Sequence, residues 1–203
     1  GFPNPALRSL LSRHSIYRRL AEAGRRATFA NAYPVAYLRA LGFEAAGEPF
    51  VLRHYQTDAA DVFWAGGSLA GGSGVIVLPC GAGKTMVGMA AMAKLQTVTL
   101  ILTPSTVAVR QWIAELLDKT DLDPHLVGEY SGLKKEVRPV TVTTYQVITH
   151  RPHGSKGRPL LEEYPHFNLF SQMDWGLVIY DEVHLLPAPV FRITAEIQAR
   201  RRL

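Results

Sequence analysis

The octad Leu78-Pro79-Cys80-Gly81-Ala82-Gly83-Lys84-Thr85 constrains this chain more than any other feature. It lies between a short β-branched apolar run, Val75 to Leu78, and a helix-patterned stretch, Met86 to Leu95. Strand, glycine turn and helix in that order aim successive backbone N–H groups into one concavity, with a helix N-terminus behind them. That arrangement is a phosphate cradle. Gly81 and Gly83, with Ala82 between them, allow the close backbone approach. Lys84 is placed to reach β- and γ-phosphates, and the Thr85 hydroxyl to ligate Mg²⁺. The first glycine usual in this pattern is Leu78 here. Gly-x-Gly-Lys-Ser/Thr arises by chance in roughly one in a hundred chains of this length, and the strand and helix around it make coincidence rarer.

A phosphate cradle hydrolyses nothing without carboxylates, and Val178-Ile179-Tyr180-Asp181-Glu182-Val183-His184 supplies two. An apolar strand delivers them at its C-terminal end, where α/β sheets place their ligands. Asp181 is placed to hold Mg²⁺ opposite Thr85, and Glu182 to polarise an attacking water as general base.

Between these motifs the pattern alternates. Val98 to Thr103, Val140 to Thr144 and Leu177 to Tyr180 are strand-like, and Val107 to Leu117 has helical spacing. Strands that are apolar throughout and alternate with helices predict an α/β fold whose mostly parallel sheet is covered on both faces. Gly66 to Gly74 and His150 to Pro159 interrupt the pattern as glycine-rich or exposed loops.

Charge divides the chain. The net charge is +5 over 203 residues, but residues 1 to 40 hold seven arginines and one acid, leaving 15 (22 less 7) basic and 16 (17 less 1) acidic groups beyond them. Basicity therefore belongs to an arm, not to the body. Leu7, Leu10, Leu11, His14, Tyr17 and Leu20 fall on one helical stripe, which predicts a basic helical extension over 1–49. Three readings of it stand: a packed helix with solvated arginines, a phosphate-contacting arm, or a targeting peptide. With Gly1 in place of an initiator methionine, the chain is expected to be a piece of something longer.

The composition, 47% hydrophobic and 19% charged, excludes a disordered chain. No apolar run reaches the roughly 18 residues that span a bilayer, so no membrane role is expected. A single cysteine, Cys80, forms no internal disulfide and suits a reducing setting, cytoplasmic or nuclear. It reads as a small filler residue ahead of an activated thiol. His150-x-x-His153 lacks the further ligands of a zinc site.

The tetrad Asp181-Glu182-Val183-His184 resembles the DExH box of superfamily 2 helicases, and with the phosphate octad it resembles the XPB-type DNA helicases. Leu52-Arg53-His54-Tyr55-Gln56 resembles the Arg-x-Tyr-Gln element that reads adenine. Leu102-Thr103-Pro104-Ser105 with Gln111-Trp112 resembles motif Ia, and Thr143-Thr144-Tyr145-Gln146 a later strand-end motif at the nucleic-acid backbone. The resemblance spans about residues 50 to 203 and implies the first RecA-like lobe of a P-loop NTPase, incomplete at its C-terminus, after the helical extension.

ATP and Mg²⁺ are then the implied cofactors, and DNA the implied partner. Gln56, supported by Arg53, becomes an adenine reader. Thr103, Ser105 and Thr144 become neutral phosphate donors, against the structural reading of strand-end and cap residues. His184 couples nucleotide to nucleic acid through a second lobe, which carries the arginine fingers. The implied function is an ATP-dependent DNA helicase or translocase, of 3′-to-5′ polarity, in repair or transcription. The alternatives are another DExH motor, such as a restriction-system translocase with a nuclease partner, or a nucleotide-dependent DNA-binding module without turnover. The 203-residue stretch alone is expected to bind ATP weakly and to hydrolyse it scarcely or not at all.

Overall fold

The computed structural model describes residues 44–45, 48–68, 71–154, 156–157, 163–171, 173–185 and 192–203. The helix expected between Leu7 and Leu20, and the seven arginines of the arm, lie outside the described residues. Two short antiparallel strands, β1 (Glu44–Ala45) and β2 (Glu48–Pro49), come first. Helices α1 (His54–Trp64) and α2 (Lys84–Leu95) follow, the second starting inside the glycine turn.

Valine, leucine, isoleucine and threonine then build the main sheet, because β-branched and apolar side chains fit a pleated surface buried on both sides. Strand β3 (Thr99–Thr103) leads into α3 (Thr106–Lys119), then β4 (Val127–Tyr130), β5 (Val140–Thr144) and the single turn α4 (Tyr145–Ile148). Helix α5 (Pro165–Ser171), β6 (Trp175–Tyr180) and β7 (Ala199–Arg202) complete the described fold. The strand order is β4-β5-β3-β6-β7, and every pairing is parallel. Thr103 stands opposite Thr144, and Leu102 opposite Tyr180, so the central strands end level with one another.

Side chains alternate between two layers, as a period of two requires. Ile101, Val142 and Ile179 face Met89, Met92, Trp112 and Leu116 of α2 and α3. Leu100, Leu102 and Val178 face the opposite way, against Tyr145, Ile148, Phe167 and Phe170 of α4 and α5. Val109, Trp112 and Leu116 make one stripe of α3 at spacings of three and four, and Ser105 caps that helix by accepting from the Ala108 N–H at 3.2 Å. Each fully buried leucine or methionine on these faces contributes about 1.5–3 kcal/mol relative to exposure. Among the described residues no helix is long and apolar enough to cross a membrane.

One expected strand is not formed. Val75 to Leu78 runs unpaired, with Val75 65% and Val77 86% exposed. Its approach to the sheet is a parallel bridge between Ser73 and Arg202 at the outer edge of β7, where the Gly74 N–H donates to the Arg202 carbonyl at 3.1 Å. Apolar, β-branched composition favours a strand only where a neighbouring backbone accepts the ladder.

Candidate nucleotide site

Parallel pairing sends β3, β5 and β6 out of the sheet along one edge, and the glycine turn meets them there. The turn closes through the Ala82 N–H, which donates to the Pro79 carbonyl at 3.3 Å. Gly81 (φ 77°) and Gly83 (φ 73°) take the left-handed conformation that disfavours any residue with a Cβ. Nothing lies within 4 Å of where a Gly81 Cβ would stand, so the turn faces open space. Gly83 caps α2, Lys84 and Thr85 are its first two residues, and the helix dipole adds positive potential where a phosphate would sit.

Strand β6 brings the carboxylates to the same edge. Lys84 Nζ lies 3.5 Å from Glu182 Oε1, and His184 Nδ1 lies 3.2 Å from Glu182 Oε2. Glu182 is therefore held between two nitrogen groups, and its backbone adopts φ 56°. Such a conformation costs about 1 kcal/mol or more for a residue with a side chain, and it persists where surrounding contacts impose it. Here the Glu182 carbonyl accepts from the Leu185 N–H at 3.0 Å, closing the turn Val183–Leu185.

Asp181 is anchored more deeply. Its N–H donates to the Leu102 carbonyl at 2.8 Å, and its carbonyl accepts from the Tyr145 hydroxyl at 2.9 Å. Its Oδ2 accepts from the Trp112 indole N–H at 3.1 Å. Burial pushes the Asp181 carboxyl above its usual range; the Trp112 N–H and Lys84 oppose that push, and the neighbouring Glu182 charge reinforces it. Burial also raises the Tyr145 phenol, which keeps it a neutral donor. A cavity of about 240 Å³ opens beside these groups, lined by Lys84, Gly88, Trp112, Asp181, Glu182 and His184. The hydroxyl of Thr85 and the half-buried Asp181 carboxylate are hard oxygen donors, the set that Mg²⁺ takes while keeping several waters.

The structure places Gln56 differently from the adenine-reading expectation. It is buried at the first turn of α1, its Nε2 donates to the Ala82 carbonyl at 3.1 Å, and its Oε1 accepts from the Arg53 N–H at 2.9 Å. Both ends of the amide are engaged, so Gln56 braces the phosphate turn, and reading adenine requires it to release Ala82. Tyr55, which the sequence reading passed over, donates to the same Ala82 carbonyl at 2.9 Å and accepts from Arg53 Nη1 at 3.1 Å.

Two of the three expected phosphate donors have their hydroxyls engaged within the fold. Thr103 is fully buried, and its hydroxyl lies 3.1 Å from both the Ser105 and Thr143 carbonyls. Thr144 is 3% exposed and caps α4 by accepting from the Val147 N–H. Their hydroxyls serve the strand ends, and neither faces a surface. Ser105 is exposed at the start of α3, next to Pro104, whose carbonyl accepts from the exposed Gln146 amide at 2.8 Å. Cys80 is exposed and therefore not the packed filler its position suggested. Trp112 and Tyr145, which bond Asp181, were not singled out by sequence; both lay inside the quoted motif segments, but no spacing rule marks which aromatic reaches a residue of another strand.

Comparison with known proteins shows the family. The profile of the family described as type III restriction enzyme, res subunit, matches residues 49–203. The chain is 56% identical over 160 residues to the DNA 3′-5′ helicase XPB of Kineococcus radiotolerans, covering 79% of this chain and 26% of that protein. It is 58% identical over 156 residues to the DNA 3′-5′ helicase XPB of Mycobacterium tuberculosis, covering 77% and 26%. The chain thus spans about a quarter of the length of these relatives. Among solved structures, the UvsW helicase from bacteriophage T4 superposes with a TM-score of 0.58 at 20% identity, over 82% of this chain and 56% of that one. This last likeness is one of fold.

Proposed function

Because the chain belongs to the family described as type III restriction enzyme, res subunit, and its close relatives are XPB helicases, we propose that it is the nucleotide-binding lobe of an ATP-driven DNA helicase of XPB kind, working 3′ to 5′. The observation that carries this is the convergence of Lys84, Asp181 and Glu182 at one sheet edge, with Lys84 Nζ 3.5 Å from Glu182.

The backbone N–H groups of 81–85 and the N-terminus of α2 cradle the triphosphate. Lys84 leaves Glu182 for the β- and γ-phosphate oxygens, and its departure frees Glu182 to accept a proton from the attacking water. Thr85 and Asp181 hold Mg²⁺. The metal supplies neutralisation of phosphate charge. His184, 71% exposed and already touching Glu182, is the group from which the general base senses what docks over the site. A second RecA-like lobe docks there with arginine fingers, which in other nucleotide hydrolases raise turnover about 10³- to 10⁵-fold. DNA runs past the exposed strand ends at Ser105 and Gln146, in the cytoplasm of a bacterium or archaeon or in a nucleus, with repair or transcription factors as further partners.

The test is ATP hydrolysis by the full-length protein with and without DNA. DNA-stimulated turnover that Glu182→Gln abolishes while ATP remains bound supports the motor. Nucleotide-dependent DNA binding with no turnover in the unaltered protein would instead make it a clamp.

A further inference from the structure

Trp112 joins three parts of the nucleotide site that are far apart in sequence. It lies on the buried stripe of α3, 4% exposed. Its indole N–H donates to Asp181 Oδ2 at 3.1 Å across 69 residues of chain. Its ring presses on α2 at Gly88, where a Cβ would come within 2.7 Å of Trp112 Cη2. The helix that starts with Lys84 thus carries a glycine one turn later, where the indole needs room. Backbone contacts fix the Asp181 main chain, the Glu182 N–H also reaches its carboxylate, and the Trp112 indole is the side chain that holds Oδ2.

An indole N–H suits this task. It donates without accepting, so it does not compete for a cation, and it carries no charge that would neutralise the carboxylate. A lysine in its place would neutralise it.

We infer that Trp112 is a positioning residue for the metal site: by holding Oδ2 it presents Oδ1 of Asp181 to the divalent cation that accompanies the nucleotide. This rests on the nucleotide reading of the site given above.

The experiment measures the affinity of the full-length protein for ADP bearing a fluorescent N-methylanthraniloyl group, in Mg²⁺ and in EDTA. Trp112→Phe keeps a ring against Gly88 and removes the N–H. The expected result is that the gain in affinity conferred by Mg²⁺ shrinks about tenfold, the scale of one hydrogen bond to a charged group, while affinity in EDTA stays unchanged. Gly88→Ala, which displaces the ring without altering it, should reduce the same gain and serves as the second variant if Trp112→Phe does not fold. In an Asp181→Asn background, Trp112→Phe should have no further effect, because its partner charge is gone. Equal losses with and without Mg²⁺, an undiminished Mg²⁺ gain, or a full loss persisting in Asp181→Asn would each overturn the inference and leave Trp112 a packing residue. If the unaltered protein shows no nucleotide binding strengthened by Mg²⁺, the nucleotide reading falls first, and this one with it.

Discussion

Gly83 and Gln56 are fitted to each other: a Cβ on Gly83 would stand 2.6 Å from Gln56 Nε2, the atom that donates to the Ala82 carbonyl at 3.1 Å. The phosphate turn is shaped from outside by a helix 26 residues upstream, as well as by its own glycines.

Gly83→Ala therefore carries two penalties, a left-handed φ of 73° and the encounter with Gln56. The conformational part alone is about 1–2 kcal/mol. Thermal unfolding should show a loss of that order, and nucleotide titration a drop of about tenfold or more. A variant with unchanged affinity would mean that Gln56 does not brace the turn.

Lys84 and Glu182 touch each other and are assigned different roles, so their substitutions should separate. Lys84→Ala should abolish nucleotide binding in the full-length protein, because the phosphate charge loses its cation. Glu182→Gln should leave ATP bound and uncleaved, with turnover down at least 10²-fold, the lower scale of general base catalysis. Equilibrium binding and single-turnover hydrolysis measure the two effects; equal loss of affinity in both variants would contradict the assignment.

Ser105 both caps α3 and faces outward. Ser105→Ala should cost about 1 kcal/mol of stability and Ser105→Gly only a few tenths, as N-cap substitutions do. DNA affinity of the full-length protein should fall by the same two- to tenfold in both, about the worth of one neutral hydrogen bond. If affinity follows stability instead, Ser105 is a cap and no more.

His166 sets a pH dependence away from the nucleotide. Burial, then Lys135 and His150, hold its imidazolium below the ordinary value of 6.5, and its Nδ1 lies 2.8 Å from the Tyr130 hydroxyl. Between the ordinary and the lowered pKa the unfolded chain binds more protons than the folded one, so stability falls as pH falls through that window and is fully present above it. His166→Gln should flatten this part of a plot of melting temperature against pH. A curve of unchanged slope below pH 6.5 would remove His166 as its source.

The nearest-neighbour features of the fold were legible in the sequence. Val140 to Thr144 is a strand at the expected residues, and α2 and α3 differ from the expected helices by at most two residues at either end. Periodicity and turn chemistry are local, and these segments obey them. Strands β4 and β7 were not anticipated: Val-Gly-Glu-Tyr is short and weakly apolar, and Ala-Arg-Arg-Arg carries three charges. Both lie at sheet edges, where pairing with a neighbour outweighs intrinsic preference.

The candidate site divides in the same way. Lys84 and Thr85 were singled out because phosphate chemistry dictates residue types beside a glycine turn, and Asp181 and Glu182 because carboxylates at the end of an apolar strand suit metal and base chemistry. The roles of Gln56, Thr103, Thr144 and Trp112 depend on what stands opposite each of them in space. Sequence alone determined an α/β lobe with a phosphate turn and a carboxylate pair. Tertiary structure decided that Gln56 supports the turn, that Thr103 and Thr144 are spent on carbonyls and caps, and that Trp112 reaches Asp181. The physical reason is common to all of these: a hydrogen bond needs a partner at a definite distance, and the partner belongs to a segment that only the fold brings near.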